Sequence, residues 1–414
     1  MRPGLHIIPL VLMSFLACST LRASEPYTRV TERPDGDIVL EMCTRTFESK
    51  NPDAPRIHMV SAIHIADKSY YSAMQELLNG YDTVLYEGVK PAGLDPIDPE
   101  LDDESKVKAT QERLDLLVSI AQMYRASHGH YPSGYADLTK SEDRRIASLV
   151  SSIRTDAWGN NIATRNSLRI VDDVKSAQIE YVSYGADGEE GGEGINADII
   201  SASDPVNPDE APADSPEGIQ TQLANALRVS FQLDEMDTTN PGWINADMDV
   251  NQLQHALSEY GEDSSELLKM LDGESFGAKI AGFVLNFVAR SPQLSSMMKL
   301  VMMDLLAFAE ESDLLADQGE AMHKVIVEGR NDVVIEYLHE TIADHPDYDD
   351  IAIFYGAGHM AGLEKSLSEM GYAPSSDHWT QAMLVNPEDT GLSAMQVKMM
   401  RNMIKSSLQQ QMGR

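Results

Sequence analysis

Between residues 37 and 89 the chain alternates apolar runs with one amphipathic stretch in a βα order. "DIVLEMCTRTF" (37–47) and "RIHMVSAIHI" (56–65) carry the alternating or continuous β-branched and apolar positions of strands. "SYYSAMQELLNG" (69–80) repeats its apolar residues at helical spacing and stops at Gly80, and "YDTVLYEGV" (81–89) returns to a strand pattern. This βα unit lacks its closing elements until much later in the chain. Further on, "ALRVSFQLDEMD" (226–237) reads as a strand, 247–272 as an amphipathic helix, 275–316 as two apolar, Met-rich helices and 317–340 as another helix. A strand over 349–359, a helix over 361–370 ending near Gly371, a strand over 378–385 and a polar helix over 392–411 complete the pattern. The methionines of "SSMMKLVMMDLLAF" (295–308) recur at helical spacing and are assigned to packing rather than to a binding groove.

Two segments break this periodicity. "KPAGLDPIDPELDDE" (90–104) and "SASDPVNPDEAPADSPEG" (201–218) are rich in Pro and Asp and poor in large apolar residues, a composition of extended, solvated chain. They bracket a self-contained block at 105–200. The expected organisation is an α/β outer domain split over 28–90 and 219–390, an inserted α+β domain at 105–200, acidic linkers at 91–104 and 201–218, and a C-terminal helix over 391–414.

Charge and the N-terminus narrow the classes of function. The formal net charge of −34 over 414 residues opposes binding to nucleic acid or to an anionic membrane surface. Arg2, the apolar run Ile7 to Ala17 and the small residues after it read as an export signal over 1–23, cleaved after Ala23. Leu16-Ala17-Cys18 approximates a lipobox, so the competing reading is a lipoprotein anchored at Cys18. Both readings place the mature chain in the periplasm or cell envelope. Only Cys18 and Cys43 are present, which leaves no disulfide framework. No later segment offers the ~20 uninterrupted apolar residues of a membrane span, and "IAGFVLNFVA" (280–289) is read as a core helix.

The residues able to carry chemistry stand at the ends of separated strand-like runs: His64 after "MVSAI", Glu87 after "TVLY" and His359 after "IAIFYGAG". Open α/β sheets place their sites at such a rim, and two imidazoles with a carboxylate form a common divalent-metal set. Spacing alone leaves a second possibility open, that these are satisfied or solvated rim residues.

In the inserted block an amphipathic helix runs into Gly129-His130-Tyr131-Pro132 some five residues after Tyr124, followed by Asp156-Ala157-Trp158-Gly159-Asn160 and the loop Ser183 to Gly192. These ordered motifs resemble the globular domain of the type II secretion major pseudopilin (GspG) family. The family's apolar N-terminal helix is missing, so pseudopilus assembly is not expected. The resemblance implies calcium binding by Asp187, Asn196 and Asp198. Glycines, carboxylates and exposed carbonyls give the oxygen-rich shell Ca²⁺ prefers, while an acidic turn without metal is the alternative.

In the outer domain Ser61-Ala62-Ile63-His64, Glu87, Arg330-Asn331 and Gly356-Ala357-Gly358-His359 occur in the order of the TraB/PrgY/GumN superfamily, which includes the Tiki proteins. The chain resembles that family over about 28–90 and 220–385, with Ser61 standing where the family's first glycine is found. The resemblance implies a mixed sheet with surrounding helices and a metal-dependent hydrolase, possibly a peptidase in the manner of the Tiki members. It places a divalent metal of Mn, Co or Zn type on His64, Glu87 and His359, with Glu87 and Arg330 as catalytic residues and Asp67, Tyr70 and Asn331 supporting them from behind. A peptide or protein substrate and contact with a secretion component are the expected partners. The alternative function is a non-catalytic envelope protein that sequesters a peptide or docks on such a component.

Overall fold

The computed structural model describes residues 26–94, 97–140, 144–171, 174–208, 227–260, 291–311 and 323–412. The expected export signal with Cys18, the later part of the second linker and most of the first apolar helix expected after residue 275 lie outside the described residues.

The chain is α+β. In order, its first elements are β1 (Thr28–Glu32), β2 (Ile38–Ser49), β3 (Arg56–Ala62), β4 (Ile65–Ala66), α1 (Lys68–Leu78) and β5 (Thr83–Tyr86). Next come α2 (Asp103–His128), α3 (Tyr135–Thr139), α4 (Arg144–Ser152), β6 (Ala163–Val171), β7 (Val174–Ser183) and β8 (Ile199–Ala202). The remainder holds β9 (Ser230–Phe231), α5 (Gln232–Glu235), β10 (Trp243–Asn245), α6 (Val250–Glu259), α7 (Pro292–Glu311), α8 (Arg330–Asp344), β11 (Asp350–Gly356), α9 (Met360–Glu369), β12 (Tyr372–Val385) and α10 (Ala394–Met412).

One mixed sheet of seven strands takes its members from both ends of the chain, in the order β1-β2-β3-β11-β5-β10 with β12 beside β2. β3, β11, β5 and β10 run parallel to one another. β2 is long enough to hold β1 against residues 38–42 and β3 against 44–47 on one edge, while β12 runs antiparallel along the other. The β-period of two sends alternate residues to opposite faces. Ile351, Ile353 and Tyr355 of β11 enter a core with Val334 and Leu338 of α8 and Leu363 of α9, and Ala352 and Phe354 enter the core formed with Tyr71 and Met74 of α1 and Leu300 of α7. Helices on both faces explain why β3 and β11 read as continuous apolar runs.

The stretch between β5 and β9 builds its own antiparallel sheet, ordered β6-β7-β8, against α2. Its core includes Leu114, Leu117, Ala121, Leu138, Val150, Ile179 and Tyr181. α2 is capped by Asp102, whose carboxylate accepts from the Ser105 N–H, and ends at Gly129 with φ +82°. The start of the first linker is packed rather than free. A Cβ on Gly93, at φ +82°, would fall 2.6 Å from the Glu112 carbonyl carbon, and Leu94 packs against the small core.

Several expected boundaries move. The strand expected over 226–237 is only Ser230–Phe231, after which the chain coils into α5. The helix expected from 247 starts at Val250, where Asp249 and Gln252 form a capping box. β11 stops at Gly356, so His359 sits in a 3₁₀ turn leading into α9 and not on the strand. β12 begins six residues before the expected 378, because residues 373–378 form an exposed edge without apolar alternation.

Candidate functional site

Because β3, β11, β5 and β10 are parallel and in register, their carboxyl ends share one rim: Gly356 lies opposite Ala62, and Tyr86 pairs with both Phe354 and Asn245. Each strand delivers a polar residue just past that rim, namely His64, His359, Glu87 and Asp247. Arg330, the first residue of α8, comes in from the side.

Arg330 organises the cluster. Its Nε and Nη2 donate to Asp247 Oδ1 and Oδ2 at 2.9 and 2.6 Å, and Nη2 also reaches Glu87 Oε1 at 2.7 Å. Asp247 is fully buried and accepts as well from the Gly88 and Met248 N–H groups. The Gly356 N–H donates to Glu87 Oε2 at 2.6 Å, and a Cβ on Gly356 would press within 3.1 Å of that oxygen. His359 Nε2 stands 3.6 Å from Glu87 Oε1 and 3.5 Å from Arg330 Nη1. Asn331 holds the ring from behind, pairing its Oδ1 with Nδ1 at 2.7 Å and donating from Nδ2 to the His359 carbonyl. A neutral His359 therefore donates from Nδ1 and carries its lone pair on Nε2, toward Glu87.

Burial sets the charges. It works against ionisation of Glu87, but attraction to His359 in its protonated form, to Arg330 and to a protonated His64, with the Gly356 N–H, outweighs it and holds the carboxyl below its usual range. For His359 burial wins over the attraction of Glu87 and, with Arg330, holds the imidazole below the ordinary histidine value. Arg330 is kept charged by Asp247 and Glu87 despite burial. With His359 neutral, two carboxylates face one guanidinium, leaving one net negative charge that a proton on His359 would cancel.

His64 is exposed, pairs its Nδ1 with Gln232 Oε1 at 3.2 Å, and acts electrostatically on Glu87 and His359. Asp67 and Tyr70 face elsewhere. The Asp67 carboxylate pairs with Lys299 and accepts from the Leu384 N–H, and Tyr70 donates to the Ser61 carbonyl at 3.1 Å. Tyr70, with Tyr71 on the Ile63 carbonyl, thus braces the strand end that carries His64. Ser61 itself lies within β3, where no positive φ is required of it. Asp247 and Gln232 went unrecognised in the sequence, since one aspartate among 66 acidic residues after a three-residue strand gives no signal.

Among the described residues no group of three or more His, Cys, Asp and Glu side chains converges as a metal would require. The Arg330 guanidinium already lies against Glu87 Oε1 and His359 Nε2, the atoms such an ion would need. A cavity of about 260 Å³ opens onto Glu87, lined also by Tyr86, Val89, Leu149, Gln232, Asn245 and Phe354.

In the smaller unit the loop after β7 wraps around Asn196. A Cβ on Gly185 or Gly192 would fall 2.6 or 2.4 Å from the Asn196 carbonyl group, so both positions need glycine for close approach as well as for positive φ. Asp187 Oδ1 accepts from the Glu189 N–H and Asp198 Oδ1 from the Gly191 N–H. Two carboxylates, an amide and tightly turned backbone carbonyls are hard oxygen donors of the kind calcium takes.

The fold and the rim define a mixed α/β protein with a buried carboxylate–guanidinium–imidazole site beside a second, smaller unit. Residues 100–202, about a quarter of the chain, match the family model for type II secretion system (T2SS) protein G. No curated protein and no solved structure matches the chain.

Proposed function

We propose that the rim cluster is the reacting centre of an exported hydrolase that cleaves a peptide or related acyl bond, and that the protein G-like unit is an accessory, calcium-binding module. The observation that carries this reading is the meeting of Glu87, Asp247, Arg330 and His359 from three strand ends and a helix start. The TraB/Tiki-like order of His64, Glu87, Arg330-Asn331 and His359 supports it.

In this reading His359 takes the proton from an attacking water at Nε2, and Glu87, 3.6 Å away, stabilises the imidazolium so formed. Both Glu87 oxygens already accept hydrogen bonds and its carboxyl is held ionised, which suits an orienting anion better than a free base. Arg330, locked by Asp247, supplies fixed positive charge for the developing oxyanion. No step is assigned to a metal. Asp187, Asn196 and Asp198 would hold calcium in the smaller unit, ordering its loop. The expected export signal and the protein G-like match together support a place in the cell envelope and contact with a secretion component.

The test is turnover of peptide pools and chromogenic esters by the purified mature chain, with metal analysis of the same samples. Glu87→Gln and His359→Ala are expected to lower kcat/KM by about 10²-fold or more with unchanged circular dichroism. Equal turnover in wild type and both variants overturns the reading. Stoichiometric metal that disappears in His359→Ala would instead restore the expected metal centre. The protein G-like match also favours a second reading, a non-catalytic binder, which predicts peptide binding without turnover.

A further inference from the structure

The cavity above Glu87 is built by both units. Its inner wall is Tyr86, Glu87 and Gly88 after β5, with Asn245 of β10 and Phe354 of β11, and Gln232 and Met236 close one side. The opposite wall comes from outside the main sheet. Val89, Pro91 and Leu94 belong to the connection leaving β5, and Leu149 is on α4, where it also packs against the core of the protein G-like unit. The smaller unit is therefore part of the site's geometry.

We propose that this cavity is a side-chain subsite for an extended, uncharged peptide segment, receiving one branched or aromatic apolar side chain next to the bond presented to Glu87 and His359. Cleavage of the adjacent bond rests on the hydrolase reading, whereas the binding itself does not need it. Two observations carry it. The volume of about 260 Å³ lies below the range of sites for whole small molecules, and suits one side chain with its flanking backbone. Its apolar lining, Val89, Leu94, Leu149, Met236 and Phe354, rewards an apolar group, and the ionised Glu87 repels an acidic one. Asn245 is fixed in the wall, its Nδ2 donating to the Gly88 carbonyl at 2.8 Å.

The subsite makes the protein G-like unit a determinant of selectivity, through Leu149, and couples its position to which peptides bind. Leucine or phenylalanine should gain over alanine by about tenfold or more in affinity, from burial of the larger side chain.

The experiment is calorimetric titration of the full mature chain, carrying His359→Ala to prevent turnover, with N-acetylated tripeptide amides Gly-X-Gly in which X is Leu, Phe, Ala or Asp. The expected order is Leu or Phe tightest, Ala weaker by about tenfold or more and Asp weakest. Leu149→Asp should abolish the preference. Val89→Asp should do the same from a partly exposed position, so a folding defect in the first variant does not protect the proposal. Equal affinity for all four peptides, or an unchanged preference in both variants, overturns it. The two readings fail separately. A wild type that binds the Leu peptide but cleaves nothing keeps the subsite and removes the hydrolase. One that cleaves all four with equal kcat/KM keeps the hydrolase and removes the subsite.

Discussion

Arg330 and Asp247 meet fork to fork, with Nε and Nη2 on the two carboxylate oxygens at 2.9 and 2.6 Å and the carboxylate fully shielded from solvent. Asp247 thereby fixes the plane of the guanidinium, and the plane decides that Nη2 points to Glu87 and Nη1 to His359. Removing Asp247 leaves Arg330 charged against Glu87 alone and unpairs the Gly88 and Met248 N–H groups, a loss at the scale of a broken buried pair, about 3–5 kcal/mol. Asp247→Ala is expected to lose stability in that range in urea denaturation, and Asp247→Asn, which keeps shape and one acceptor, to lose less. Unfolding of Asp247→Ala within ~0.5 kcal/mol of wild type would show that the pair is not coupled as the geometry requires.

Acid should destabilise the protein in two stages. His359 is depressed by burial, so below its unfolded value near ~6.5 the unfolded chain takes up a proton the folded chain refuses, and stability falls with pH. Glu87 is also depressed, so its contribution is present above the unfolded carboxylate value near ~4.3 and is lost as pH falls through the lower folded value. Denaturation midpoints followed from about pH 7.5 to 3.5 should therefore decline from about 6.5 downward, with the upper stage flattened in His359→Gln. Superimposable profiles for the two proteins would contradict this assignment.

The parallel half of the sheet was legible because burial on both faces leaves unbroken apolar runs, as in "RIHMVSA" and "IAIFYG", although His359, read as the end of that strand, lies in the 3₁₀ turn past it. Strand ends then pointed to His64, Glu87 and His359. Asp247 was hidden because β10 is too short to show a period. Asp67 and Tyr70 follow His64 closely in sequence, yet the turn into α1 carries them toward α7, β12 and the back of β3, so nearness along the chain misplaced them. Arg330 was found, but that its guanidinium would lie against both Glu87 and His359 depends on contacts across 243 and 29 residues of chain.

Replacing Asn331 by aspartate should raise the pH at which His359 gains its proton. The Nδ1–H now meets a neutral amide oxygen at 2.7 Å, and a carboxylate there would stabilise the imidazolium. The acid limb of kcat/KM is expected to move upward in Asn331→Asp, and to keep its position with a reduced plateau in Asn331→Ser. The pH–rate profile checks this, and identical limbs in all three proteins would remove Asn331 as the residue that positions His359.

Calcium should stabilise the smaller unit without touching the rim. If Asp187, Asn196 and Asp198 bind it, a free concentration a hundredfold above Kd adds about 2.7 kcal/mol to that unit. Thermal unfolding of the full mature chain should show a calcium-dependent rise, lost in Asp187→Ala with Asp198→Ala. A wild-type midpoint indifferent to millimolar calcium would leave the loop as an acidic turn.

Gly362 supplies the final check on how the site is held. Alanine ordinarily gains up to about 1 kcal/mol over glycine within a helix, and Gly362 stands in the first turn of α9. Here its Cβ would fall 2.4 Å from Asn331 Nδ2, the group that donates to the His359 carbonyl. Overpacking of that kind costs about 1–3 kcal/mol, enough to cancel or reverse the gain in helix propensity. Gly362→Ala is expected to be neutral to destabilising and to lower kcat by moving Asn331 off His359. In an Asn331→Ser background, where the clashing amide is gone, the same substitution should become stabilising. A double-mutant cycle measured by urea denaturation reads the sign change directly, and strict additivity of the two substitutions would show that Gly362 makes no room for Asn331.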